Sequence, residues 1–163
     1  MNWKIKVPKD FIIDSLPDPV GDLKTAETFQ KNSPVKLVPQ PAIKFIKVKT
    51  DKNNFLTSTV QLYDTSKNAN WEESLNYQYL VSLRSLKSVH PTSLIDTSTS
   101  IEKIDGLKFK RFHTHIHYQN GIDMDMYLYA RLYKGYDFSI ILVYTDKTIG
   151  DKLFRIIYNS QFD

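Results

Sequence analysis

The second half of the chain contains three consecutive segments in which apolar and polar residues alternate: roughly Gly106–Tyr118, Ile122–Tyr133 and Tyr136–Tyr144. Short turns that contain Gly121 and Gly135 separate the three segments. Alternation with a period of two is typical of strands that bury one face, and turns this short join antiparallel neighbours. An antiparallel sheet is therefore predicted at the centre of the fold.

Two helices are predicted beside this sheet. The first starts after Asn70, whose side chain can cap it together with Glu73, and ends at His90 before a proline. The second helix follows the last long strand. Their apolar stripes are Trp71, Leu75, Tyr79, Leu83 and Leu86 in the first helix, and Ile149, Leu153, Ile156 and Ile157 in the second.

An earlier hairpin, Ile43–Thr50 and Phe55–Tyr63, adds two strands rich in β-branched and aromatic residues. The Ser/Thr-rich stretch TSLIDTSTS is read as a connection after the first helix, and Ser160–Phe162 as a short extended piece. This order favours the α+β class, an α/β/α sandwich in which helices flank an antiparallel sheet.

The length of 163 residues predicts one domain that spans the whole chain. Six of the seven prolines precede residue 42, so a segment from about residue 11 to 42 is predicted to be irregular. No internal repeat or linker divides the sequence.

Composition excludes several kinds of protein. Without cysteine there is no disulfide, thiolate catalysis or cysteine-based zinc site. The net charge of +4 is spread over lysines that alternate with apolar residues, which argues against nucleic-acid binding. No apolar run approaches the roughly 20 residues of a membrane helix. The opening MNWKIKV lacks the apolar centre of a signal peptide, so a cytoplasmic protein and a processed exported domain both remain open.

The stretch FHTHIHYQNGIDMDMY has three histidines on alternate positions, followed by two aspartates at the same spacing. A two-residue turn at Asn120-Gly121 would mix polar and apolar residues on both faces. A three-residue loop with Gly121 in the left-handed region sorts them. In that register the polar face holds His113, His115, His117, Asp123, Asp125 and Tyr127, and the apolar face holds Phe112, Thr114, Ile116, Met124, Met126 and Leu128.

Three interpretations of this polar face compete. Imidazoles at alternate strand positions can share a metal, with the aspartates as ligands or as groups that orient the histidines; the candidate ligands are His113, His115, His117, Asp123 and Asp125. A solvated polar face is the favoured alternative, because spacing alone produces many false matches. Histidine beside carboxylates could also sense pH.

The strand after the loop carries the binding candidates Tyr127, Tyr129, Arg131 and Tyr133. Aromatic side chains with a polar tip, joined by arginine, are typical of protein-binding surfaces. The same face would also hold Ile140 and Leu142 of the next strand, which favour burial. The tyrosines are therefore either an exposed patch or core residues beneath a helix.

No catalytic motif or phosphate-binding loop stands out, because the five glycines lie singly and no nucleophile, base and acid can be grouped. The sequence therefore favours a non-catalytic protein without a cofactor. The alternative is a metal-binding protein or a metal-dependent enzyme that uses the histidine strand.

Several turn and core signals resemble those of the PsbP-like superfamily, which includes photosystem subunits and a Ran-binding nuclear transport factor. They are Ile104-Asp105-Gly106 before a long strand, the Lys134-Gly135-Tyr136 turn, a final helix that ends in Asn159-Ser160 and Phe162, and the opening WKIKVPKDF. The resemblance covers about the last two-thirds of the chain. It implies an accessory or assembly subunit with an unknown protein partner, and an exported protein or lipoprotein whose lipid anchor would lie outside this sequence.

Overall fold

The structure, a computed structural model, describes residues 3–14, 43–64, 66 and 70–162. Two helices and nine strands lie in this part of the chain. Their bounds are β1 Trp3–Lys4, β2 Ile12–Asp14, β3 Ile43–Lys49, β4 Phe55–Leu62, α1 Trp71–Val89, β5 Leu94–Ile104, β6 Leu107–His117, β7 Asp123–Tyr133, β8 Tyr136–Tyr144, α2 Lys147–Tyr158 and β9 Gln161–Phe162.

Seven of these strands form one antiparallel sheet in the order β2-β3-β4-β8-β7-β6-β5. The short strands β1 and β9 pair separately. The predicted α+β class with a central antiparallel sheet is confirmed. Within the described residues, no helix has both the length and the apolar character needed to cross a membrane.

The stretch TSLIDTSTS was predicted to be a connection, and that prediction is wrong. Only its first two residues connect; residues 94–100 lie in β5, which pairs along its whole length with β6. Asp105 and Gly106 between the two strands have φ angles of 49° and 74°, the positive values that a two-residue hairpin turn requires. The Asp-Gly pair therefore closes a hairpin, and β5 becomes an edge strand of the sheet.

The main core lies between one sheet face and α2. Capped by the Asp146 side chain, α2 buries Leu153, Ile156 and Ile157 against the sheet, as its sequence pattern predicted. The sheet side of this core includes Tyr129, Phe109, Phe138, Ile140 and Leu142, all fully buried. Strand β1 joins the same cluster through Trp3.

Helix α1 covers the opposite face less closely. Asn70 caps it as predicted, accepting from the backbone N–H groups of Glu72 and Glu73. Leu75 is buried in a small cluster with Phe112 and Ala130. The other leucines of the predicted stripe, Leu83 and Leu86, are only half-buried and line a cavity; Val81 and Ser85, outside the stripe, are buried.

Most of the segment predicted to be irregular, residues 15–42, lies outside the described residues. At its start Ile12–Asp14 forms β2, which pairs with β3 and extends the sheet. A single domain over the whole chain stays a prediction.

Candidate functional site

The register between β6 and β7 is the one that the three-residue loop predicted. Gly121 has φ 79°, and the Tyr118 N–H donates to the Ile122 carbonyl at 2.9 Å. In the paired strands His113 lies opposite Tyr127, His115 opposite Asp125 and His117 opposite Asp123. The predicted register is therefore confirmed, and with it the separation of polar and apolar residues onto opposite faces of the two strands.

The histidines and aspartates form a continuous ladder, here called the His–Asp ladder: His113, Asp125, His115, Asp123 and His117. Asp125 Oδ1 accepts from His113 Nε2 at 2.7 Å and from His115 Nδ1 at 3.1 Å. Asp123 Oδ1 accepts from His117 Nδ1 at 2.7 Å and lies 3.7 Å from His115 Nε2. Each carboxylate therefore bridges two imidazoles along the strands.

The exposure of the three histidines rises from the sheet centre to the loop. The His113 side chain is 24% exposed and its ring stacks on Tyr127 at 4.2 Å between centroids, whereas the His117 side chain is 49% exposed. The two carboxylates orient the imidazole rings through hydrogen bonds, but the three rings are spread along the strand. Among the described residues, no group of three His, Asp or Glu side chains is placed to hold a metal ion.

Zinc titrated by calorimetry into tag-free protein is expected to give no saturable binding in the micromolar range, because the ladder spreads its side chains along the strands and, among the described residues, no three of them converge on one point. Binding that is lost in His115→Ala and kept in His90→Ala would contradict this expectation. His90 is the matched control, because it lies at the end of α1 and packs on Tyr118, away from the ladder.

The four binding candidates on β7 have different surroundings. Tyr129 is 0% exposed, so it offers no contact surface; burial raises its pKa, and its hydroxyl lies 3.3 Å from that of Tyr158 on α2. Tyr127 is half-buried under Phe154 of the same helix. At these two positions a helix covers the face, whereas Arg131 and Tyr133, which lie nearer the β7–β8 turn, are half-buried.

The β7–β8 turn carries a cluster of exposed and half-buried apolar and basic side chains, of which the sequence analysis named only a part. Tyr133 pairs with Tyr136, which pairs with Leu62 of β4, so the three side chains share a face. Tyr136 is 47% exposed and Leu62 is 67% exposed. With Arg131 and Lys134 they form what we call the aromatic-basic surface.

Sequence reasoning missed a cavity of about 420 Å³ between α1 and the sheet. Its walls are apolar, and polar side chains occupy part of its floor. The signal in the sequence was the alternation of Asp137 and Ser139 with Phe138 and Ile140 in β8, which places polar groups on the face away from the main core. The cavity is lined by Thr59, Gln61, Leu75, Gln78, Tyr79, Ser82, Leu83, Leu86, Thr114, Met126, Tyr127, Leu128, Asp137, Ser139 and Ile141.

A seven-stranded antiparallel sheet with α2 on one face and α1 on the other defines the class of fold as a PsbP-like α+β sandwich. Cyanobacterial PsbP (CyanoP) from Synechocystis sp. PCC 6803 has the same fold, with a TM-score of 0.59 at 6% identity over 99% of this chain and 86% of that one. LpqN of Mycobacterium tuberculosis, described as involved in cell envelope biogenesis, aligns with a TM-score of 0.45 at 12% identity over 98% of this chain and 82% of its own. No family model and no curated protein sequence matches the chain.

Proposed function

We propose that this protein is a non-catalytic binding or assembly subunit, and that it contacts a protein partner through the aromatic-basic surface. The observation that carries the proposal is the cross-strand row of Leu62, Tyr136 and Tyr133 beside two cations. Aromatic and arginine side chains contribute most of the binding free energy at many interfaces. The likeness in fold to cyanobacterial PsbP supports an accessory role.

The charges at this surface favour an acidic partner segment. The Arg131 guanidinium and the Lys134 ammonium each lie 5.2 Å from the Tyr133 ring centroid. A carboxylate supplied by a partner would complement this charge, and the rings beside it would provide apolar contact.

An exported location is the second part of the proposal. It rests on the resemblance to PsbP-like proteins.

Replacing Tyr136 by Ala and Lys134 by Glu together is expected to reduce partner capture about tenfold, as the loss of a binding hot spot does. Both side chains are exposed, so the double variant should fold like the wild type. The measurement is quantitative affinity capture from extracts of the native host after mild cross-linking, with thermal unfolding as the check on folding.

The matched control carries Tyr77→Ala and Lys147→Glu, which change one exposed tyrosine on α1 and one exposed lysine at the start of α2, away from the β7–β8 turn. It should capture the same proteins as the wild type. If the Tyr136→Ala/Lys134→Glu variant also keeps the full set of partners, the aromatic-basic surface is not the binding site.

A further inference from the structure

We propose that the cavity between α1 and the sheet is a ligand-binding site for a small amphipathic amine, with its ammonium group at Asp137 and its apolar body along Leu128 and Ile141 in the direction of Leu83. Its volume of about 420 Å³ falls within the range of roughly 300–1,000 Å³ that small-molecule sites have. This site is separate from the aromatic-basic surface, so the inference does not depend on that proposal.

The apolar walls of the cavity belong to α1 and to the sheet, which do not pack closely against each other at this point. Leu83 and Leu86 of α1 face Met126, Leu128 and Ile141 of the sheet across the cavity. Facing apolar side chains of a packed helix and sheet normally interdigitate and leave few voids larger than a water molecule. A space of this size between them exposes apolar surface that a hydrocarbon group would cover favourably.

Most polar groups on the floor of the cavity are paired with each other. The Thr59 and Ser139 hydroxyls lie 2.8 Å apart, and the Tyr79 hydroxyl lies 2.9 Å from that of Thr114. They hold the cavity wall in place and need no further partner.

Asp137 is the exception. Its Oδ2 accepts from Gln61 Nε2 at 3.3 Å, but its Oδ1 is buried and has no hydrogen-bond partner in the part of the chain that the structure describes. Burial raises the pKa of this carboxyl, and the nearby Trp71 indole N–H and Gln61 amide oppose that rise. A buried carboxylate oxygen without a donor is destabilising, and a donor carried by a ligand would remove that cost.

The donor requirement selects the class of ligand. An ammonium group offers three N–H donors and the charge that complements a carboxylate, so it forms a stronger hydrogen bond there than a neutral hydroxyl does. A ligand carboxylate would be repelled by Asp137. The chemistry of the site therefore favours amines over alcohols, and alcohols over acids.

Three probes with the same alkyl chain test this order: octylamine, octan-1-ol and octanoate, each titrated by calorimetry at neutral pH below its micelle concentration. Octylamine is expected to bind at least about tenfold more tightly than octan-1-ol, since hydrogen bonds to charged groups contribute about that factor or more. Octanoate is expected to bind weakest. Failure of all three probes to bind overturns the site, and equal binding of the three overturns the ligand class.

Variants locate the binding. Asp137→Asn removes the charge and should make the affinities for octylamine and octan-1-ol equal, while Leu83→Trp fills the cavity and should abolish binding of both. Leu80→Trp is the matched control, because Leu80 lies on α1 but is 53% exposed, and it should bind like the wild type. If Leu83→Trp does not fold, Leu86→Trp serves the same purpose. Unchanged amine preference in Asp137→Asn, or full binding by a folded Trp variant in the cavity, would refute the proposal.

Discussion

Replacing Leu153 by alanine is expected to lower the free energy of unfolding by about 2–5 kcal/mol, the usual cost of removing a fully buried leucine side chain. Leu153 is 0% exposed and lies on α2 within the main core, where Tyr129, Ile140 and Leu142 surround it from the sheet. Tight packing leaves the neighbours little room to close the space that the truncation creates. Urea denaturation followed by circular dichroism measures the difference.

Leu83→Ala is the matched comparison, because it removes the same atoms from the other helix. Leu83 is half-buried and already borders a cavity, so its loss is expected to cost about 1 kcal/mol or less. The helical stripe in the sequence gives Leu83 and Leu153 the same predicted role. Equal costs for the two substitutions would mean that α1 packs on the sheet as closely as α2 does.

The register of the histidine strand could be predicted from the sequence because two independent constraints agree. Gly121 permits the positive φ that a three-residue loop requires, and only that loop length separates apolar from polar residues on both strands. A shift by one residue would place histidines opposite Met124 and Leu128. Where a local turn requirement and a burial pattern give the same answer, the pairing is well determined.

Strand β5 lacked the second constraint. Its residues Thr97, Ser98 and Thr99 are all exposed, so the sequence shows no alternation between buried and solvated positions. An edge strand of this kind is held by backbone hydrogen bonds to its single neighbour, which side-chain polarity does not report. The signal in the sequence for β5 was the Asp105-Gly106 pair, which indicates a hairpin turn and therefore a strand before it.

The candidate sites were harder to predict than the sheet, because periodicity tells which residues share a face but not what covers that face. Tyr129 and Tyr133 lie on the same side of β7, yet Tyr129 is fully buried beneath α2 and Tyr133 is only half-buried. The cavity depends on how far α1 stands from the sheet, and the stripe of leucines is equally compatible with close contact. These distances are set by tertiary packing.

Asn54→Ala is expected to lower the free energy of unfolding by about 2–4 kcal/mol, since it leaves two part-buried backbone donors without their acceptor. Asn54 is 5% exposed, and its Oδ1 accepts from the N–H groups of Thr145 and Asp146 at 3.0 and 3.1 Å. The side chain thus ties the β3–β4 turn to the residue that caps α2. Asn53→Ala, at the exposed neighbouring position, should change stability little.

The pH dependence of this loss separates two contributions. The Asn54 amide donates to Asp51 at 2.9 Å, and this hydrogen bond is the main reason that the pKa of Asp51 is lowered. A lowered carboxyl pKa adds stability above the ordinary pKa, and that stability disappears as the pH falls through the lowered value. The loss caused by Asn54→Ala should therefore be largest at neutral pH and shrink in acid, in urea titrations repeated at each pH. A loss that stays constant with pH would assign the whole effect to the Thr145 and Asp146 donors, and none of it to Asp51.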